Sequence, residues 1–275
     1  MLTTCVRACV RGVHPMALPI VGCQGAYNIT HLVADAVALI KVAAAEAEAA
    51  AAAAAAAGAN ARTASTSPGP KAAKKVHVVG HDWGGMMVAW FVAGQHPELV
   101  ETLTILNAPH PSVFDRLIRT DPTEQKRSAY QLFFDTAAAD QMDTASFYEK
   151  DRWFDPATEA AYKLAYKASG GPKFGLNWYR ANIFGGRMNV KSFTADMPTN
   201  FPKRMRVSTR TLVLWGMRDT AFDSGKCLDG LASLVPNLTI KTKGYENTSH
   251  WIAQEKPELV SADIHSFIKN TGKMV

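Results

Sequence analysis

The chain has 275 residues, 47% of them hydrophobic and 20% charged. That excludes a disordered or fibrous protein and suits one sizeable domain, or one domain carrying an insertion. The net charge of +6 is spread out, and the one dense basic run, Lys71 to Lys75, has no interleaved aromatics, so it reads as solvated surface and no nucleic-acid partner is expected.

Residues 1–26 show no convincing periodicity and form an unmatched N-terminal segment. Arg7 and Arg11 precede the first acidic residue, Asp35, but no serine accompanies them. A cytoplasmic protein is therefore expected, with an organellar leader as the alternative. From Tyr27 the pattern YNITHLVADAVALIK predicts an amphipathic helix over 27–41, with Leu32, Val33, Val37 and Ile40 at three- and four-residue intervals. Asn28 or Thr30 could cap its start. An alanine-rich insertion and a Gly/Ser/Pro linker follow over 42–72. Alanine can extend the helix, and Glu46 and Glu48 interrupt the run, so no membrane span is expected.

VHVVG (76–80) is a short, β-branched apolar run, as expected of a strand buried on both faces. It leads through GG into the apolar helix MMVAWFVAGQHPELV, which ends near Pro97. TLTILNAP (102–109), TRTLVLWG (209–216) and the weaker LTIKTKGY (238–245) read as further strands, and EKPELVSADIHSFIK (255–269) as the last helix. Strands alternating with helices predict a mostly parallel α/β sheet. The first part of this core spans 27–108 and the second 206–275. Between them, 109–205 carries aromatic residues at helical spacing without a strand pattern, so a helical cap is expected.

GHDWGG (80–85) lies between a buried strand and a helix, the setting of a nucleophile elbow with Asp82 at its centre. Serine attacking a saturated carbon would leave a stable ether. A carboxylate leaves an ester that water can cleave at the protein's own carbonyl carbon. The substrate would then carry an electrophilic sp³ carbon, as an epoxide or a halide does. The alternative is that Asp82 only caps the following helix. Hydrolysing the ester needs a base and an orienting acid, which arrive later in the chain. Asp219, in LWGMRD (214–219), follows a strand's carboxyl end, and His250, in TSHW (248–251), precedes the final helix. Asp223 is the rival acid. Among the rival histidines, His81 and His110 sit near strand ends and could line the site. The four cysteines at 5, 9, 23 and 227 form no CxxC pair and no zinc-like cluster, so neither a disulfide framework nor a metal is indicated.

GHDWGG, LNAPHP (106–111), LWGxxD and SHW resemble the microsomal-type and soluble epoxide hydrolases of the α/β-hydrolase fold. Two cap segments extend the resemblance: SAYQLFF (128–134) and LNWYRANIF (176–184) are similar to the family segments that carry its two lid tyrosines, here Tyr130 and Tyr179. The resemblance implies that Asp82 attacks an epoxide while Tyr130 and Tyr179 stabilise the opening oxygen. His250 with Asp219 then activates water, and the backbone N–H of Trp83 serves as an oxyanion donor. Trp83, Trp178 and Trp251 would line a pocket for a small apolar epoxide, with water as co-substrate and no cofactor. A haloalkane-type dehalogenase is the near alternative. The family also places an HGxP motif after an early strand, and this chain has no His-Gly dipeptide. The expectation is therefore that the N-terminal strands are missing, one oxyanion donor with them. A truncated, inactive ligand-binding hydrolase fold is the third reading. The sequence does not fix the oligomeric state.

Overall fold

A computed structural model of the chain describes residues 27–58, 75–142, 155–168, 172–184, 187–188 and 205–270. Helix α1 spans Ile29–Gly58. The Asn28 side chain accepts the Thr30 N–H at 3.0 Å and so caps the start. Ile29, Val33 and Val37 bury one stripe of this helix. It continues well past Lys41 because alanine, the best helix former, gives the chain no reason to stop. The unmatched segment 1–26 and the linker beyond Gly58 lie outside the described residues, so the expected lack of N-terminal strands is not addressed by them.

Four parallel strands follow in spatial order: β1 (Val76–His81), β2 (Val100–Leu106), β3 (Arg210–Leu214) and β4 (Leu238–Lys241). Their register sets Gly80 beside Ile105, Ile105 beside Val213, and Val213 beside Ile240. Because side chains alternate across a strand, Val78, Leu103, Ile105 and Val213 pack with α1 and its neighbours on one face. Leu106, Leu212 and Leu214 pack on the other face against the last helix, α9 (Pro257–Lys269), through Val260, Ile264 and Phe267. Burial on both faces explains why β2 beyond Glu101 and β3 beyond Arg210 carry only apolar side chains and threonines.

A π-helical turn, Gly84–Ala89, leaves β1 and runs into α2 (Trp90–Gln95). Between β2 and β3 come α3 (Pro111–Thr120), α4 (Pro122–Arg127), α5 (Tyr130–Phe134), α6 (Pro156–Ala168) and α7 (Pro172–Asn182). Val113, Phe114, Leu117 and Ile118 of α3 join the main core. Phe134, Ala139 and Leu176 form a separate small cluster with Tyr179 against it. Asn182 ties α7 to the start of α1: its Oδ1 accepts the Ile29 N–H and its Nδ2 donates to the Tyr27 carbonyl, both at 2.8 Å. Helix α8 (Ser224–Leu228) follows β3.

Candidate active site

The site lies at the carboxyl edge of the sheet, where open parallel sheets place their ligands. Asp82 leaves β1 with φ at 50°, a left-handed conformation that costs a non-glycine residue energy and persists only where its surroundings enforce it. The enforcement is visible at Gly80. A Cβ there would come within 2.6 Å of the Ala89 Cβ and 2.7 Å of the Gly85 Cα. Gly85 shares the constraint, since its own Cβ would lie 2.5 Å from that of Ala108. The turn is thereby drawn tight, and the Trp83 N–H donates toward the Asp82 carboxyl.

His250 Nε2 lies 3.1 Å from Asp82 Oδ1, and its Nδ1 lies 3.1 Å from Asp219 Oδ2. Asp219 is buried and fully satisfied. Its Oδ1 accepts the N–H groups of Ala221 at 2.8 Å and Phe222 at 3.2 Å, and its Oδ2 accepts Asn107 Nδ2 at 2.7 Å. The loop bearing His250 crosses directly over the exit of β3: a Cβ on Gly216 would sit 2.1 Å from the Ser249 carbonyl oxygen. His81 secures that loop by donating from Nε2 to the His250 carbonyl at 2.9 Å.

Burial alone would push the His250 imidazole down, but its hydrogen bonds to Asp219 and Asp82 win and hold it up at about 10. Burial likewise works to raise the Asp82 carboxyl. The hydrogen bond from His250 and its charge overcome this and bring the group down to about 2. His81, by contrast, is lowered by burial and by the charge of His250 beside it. The His250 ring is thus held between Asp82 on one side and Asp219 on the other, with the proton favoured on the imidazole.

Across from Asp82, the Tyr179 ring stands edge-on to Trp83 at 4.7 Å, with Trp178 against the same indole at 6.1 Å. Tyr130 lies 6.1 Å from Tyr179, ring to ring. Burial raises the Tyr179 phenol and partial desolvation that of Tyr130, a residue still 40% exposed, and the nearby Asp82 charge raises both further. Each therefore keeps its proton at neutral pH. Trp251 lies at the solvent edge, its ring 5.2 Å from that of His250 and 5.7 Å from that of His81.

Asp82, Trp83, Tyr130, Trp178, Tyr179, Asp219, His250 and Trp251, from five separate stretches of chain, thus converge on one edge of the sheet. Asp223 does not. Its carboxylate caps α8, accepting the Lys226 N–H at 3.1 Å. His110 is buried beside Trp90 and caps α3 through Nδ1, which accepts the Ser112 N–H at 3.1 Å. Sequence reasoning missed Asn107 as a donor to Asp219. The signal was its place in LNAPHP, at a strand's carboxyl end, and its φ of 42° marks it as a second strained residue. Among the described residues, no three His, Cys, Asp or Glu side chains gather as a metal site, and no helix is long and apolar enough to cross a membrane.

Residues 71–257 match the family model of the α/β-hydrolase fold. Epoxide hydrolase 1 of Caenorhabditis elegans is 31% identical over 210 residues, covering 70% of this chain and 48% of that protein. Epoxide hydrolase 4 of Mus musculus is 32% identical, covering 71% of this chain and 54% of that protein. The chain thus spans about half the length of these two relatives. The AB hydrolase superfamily protein YfhM of Bacillus subtilis is 32% identical, covering 72% and 67% of the two chains. The crystal structure of Bacillus megaterium epoxide hydrolase in complex with an inhibitor superposes with a TM-score of 0.59 at 25% identity, covering 71% of this chain and 70% of that one. The elbow, the parallel sheet and these likenesses agree: the chain belongs to the α/β-hydrolase fold family, among relatives that are epoxide hydrolases.

Proposed function

We propose that this protein opens a small, apolar epoxide to a diol through an ester on Asp82. The observation that carries the reading is the line from the Asp82 carboxylate through His250 to Asp219, with 3.1 Å at each step, facing a pair of protonated phenols. Asp82 Oδ attacks an epoxide carbon and the C–O bond breaks. Tyr130 or Tyr179 gives its proton to the departing alkoxide. Trp83, Trp178 and Trp251 supply the apolar and aromatic walls that hold the substrate.

Ester formation removes the negative charge of Asp82 from beside His250. With only Asp219 left to hold the proton, the imidazole releases it, which restores the phenol. The neutral imidazole then takes a proton from water, and the hydroxide attacks the carbonyl carbon of the Asp82 ester. The Trp83 N–H stabilises the oxyanion. The acyl C–O bond breaks, the diol leaves, and the carboxylate and imidazolium are regenerated. Protons balance over the cycle, and water is the only co-substrate.

The test is a single turnover with styrene oxide in His250→Gln. An ester mapped by mass to the Asp82 peptide, together with diol from the unaltered protein, supports the reading. A protein that releases bromide from a bromoalkane but makes no diol would transfer the site to halide chemistry. Absence of any adduct and of diol would refute it.

A further inference from the structure

One face of α4 makes three contacts with the segment that carries Asp219, and they run in opposite directions along the two stretches of chain in steps of three. Asp121, the cap of α4, binds Lys226 Nζ at 2.7 Å. Glu124 Oε2 accepts the Asp223 N–H at 3.1 Å. Arg127 Nη1 donates to the Thr220 carbonyl at 3.1 Å and lies 3.4 Å from that of Asp219. The Glu124 and Arg127 contacts are to backbone, so they fix the path of the loop.

Phe222 anchors the loop in the core and the Asp219 side chain bonds Asn107 and His250, but the loop's own hydrogen bonds leave these backbone groups without partners. The N–H groups of Ala221 and Phe222 are taken by Asp219 itself, and the Asp219 N–H by the Gly216 carbonyl at 3.1 Å. The carbonyls of 219 and 220 and the N–H of 223 are left for α4 to satisfy, which Arg127 and Glu124 do. Glu124 is completely buried, an unusual place for a carboxyl group on a polar helix. Burial raises its pKa, while the Asp223 N–H and the Arg127 charge work in the opposite direction.

We propose that Glu124 and Arg127 are positioning residues, which clamp loop 219–223 onto α4 and so hold Asp219 in line with His250. This deepens the epoxide reading and rests on it: the clamp serves the hydrolytic half of the cycle, which needs the His250–Asp219 pair, and not the attack by Asp82.

The experiment uses the full chain with styrene oxide in a rapid-quench single turnover, reading ester by intact mass and diol by chromatography, from pH 6 to 9. In Arg127→Met, ester hydrolysis should slow about 10- to 100-fold while ester formation stays within about threefold. Ester should therefore accumulate, and the pH profile of its hydrolysis should shift. Arg127→Lys and Glu124→Gln, which keep a donor and an acceptor, should recover most of the rate. Proton NMR of the resting protein gives a second reading: the downfield Nδ1–H signal of His250 should move or broaden in Arg127→Met. Equal slowing of both steps, or unchanged hydrolysis with an unchanged imidazole signal, would overturn the proposal. Should Arg127→Met fail to fold, Glu124→Ala is read in the same way. If the unaltered protein forms no ester, the epoxide reading fails, and the imidazole signal alone decides whether the clamp exists.

Discussion

Asp82→Asn is the most informative single change, because it imitates the charge state of the ester without any substrate. In the resting protein His250 is raised from 6.5 to about 10, which is worth on the order of 5 kcal/mol of folding stability. The native imidazole keeps its proton between those values, whereas the unfolded chain gives it up. Stability from this source is therefore complete below pH 6.5 and drains away as the pH rises toward 10. The low value of Asp82, about 2, reflects the same ion pair seen from the acid side. It is lost as the pH falls through that region and is not a second, additive contribution. In Asp82→Asn the imidazole keeps only Asp219, so its pKa should drop and the alkaline decline should flatten. Urea unfolding at half-unit intervals from pH 6 to 10 reads the slope directly, and NMR titration of the His250 ring reads the pKa. An equal slope and an equal titration midpoint in the variant would refute the idea that alkylation converts His250 from acid to base.

Tyr179→Phe should slow ester formation about 100-fold while leaving hydrolysis of a preformed ester nearly unchanged, and Tyr130→Phe should act on the same step; a single-turnover quench separates the two. Gly80→Ala places a Cβ 2.6 Å from that of Ala89 and should destabilise the fold by about 3 kcal/mol or more, read as a lowered urea midpoint. Buried His110 is pushed down to about 3 by desolvation, so it withdraws stability as the pH falls from 6.5 toward that value. His110→Asn keeps an acceptor for the Ser112 N–H and should make the acid limb of the unfolding profile shallower. An unaltered acid limb would show that His110 is not the group responsible.

Much of the fold was legible because its signals are local. Buried parallel strands read as apolar runs, and the elbow announces itself through GHDWGG, where the glycine at 80 permits a contact that any side chain would block. The candidate triad was legible by chain order, since Asp219 and His250 both leave the sheet at its carboxyl edge. The length of α1 was less so, because an alanine tract is compatible with either helix or linker and the sequence alone sets no stop. Asn107 passed unnoticed because its role needs two strand ends to be neighbours, which Asn107 Nδ2 and Asp219 Oδ2 achieve across 112 residues of sequence.

The same physics hides the clamp on α4. In PTEQKR, Glu124 and Arg127 have the composition of a solvated surface helix, and charge patterning alone would leave them in water. What buries Glu124 and partly covers Arg127 is the return of the chain after β3, more than ninety residues later, with backbone groups in need of partners. A backbone carbonyl or N–H carries no side-chain signature, so a contact to one cannot be read from residue identity at either end. On the clamp proposal, contacts of this kind help to set the direction in which Asp219 points. On the proposed cycle they bear on the rate at which the ester is released, whereas the residues that form the ester are spelled out in the motif.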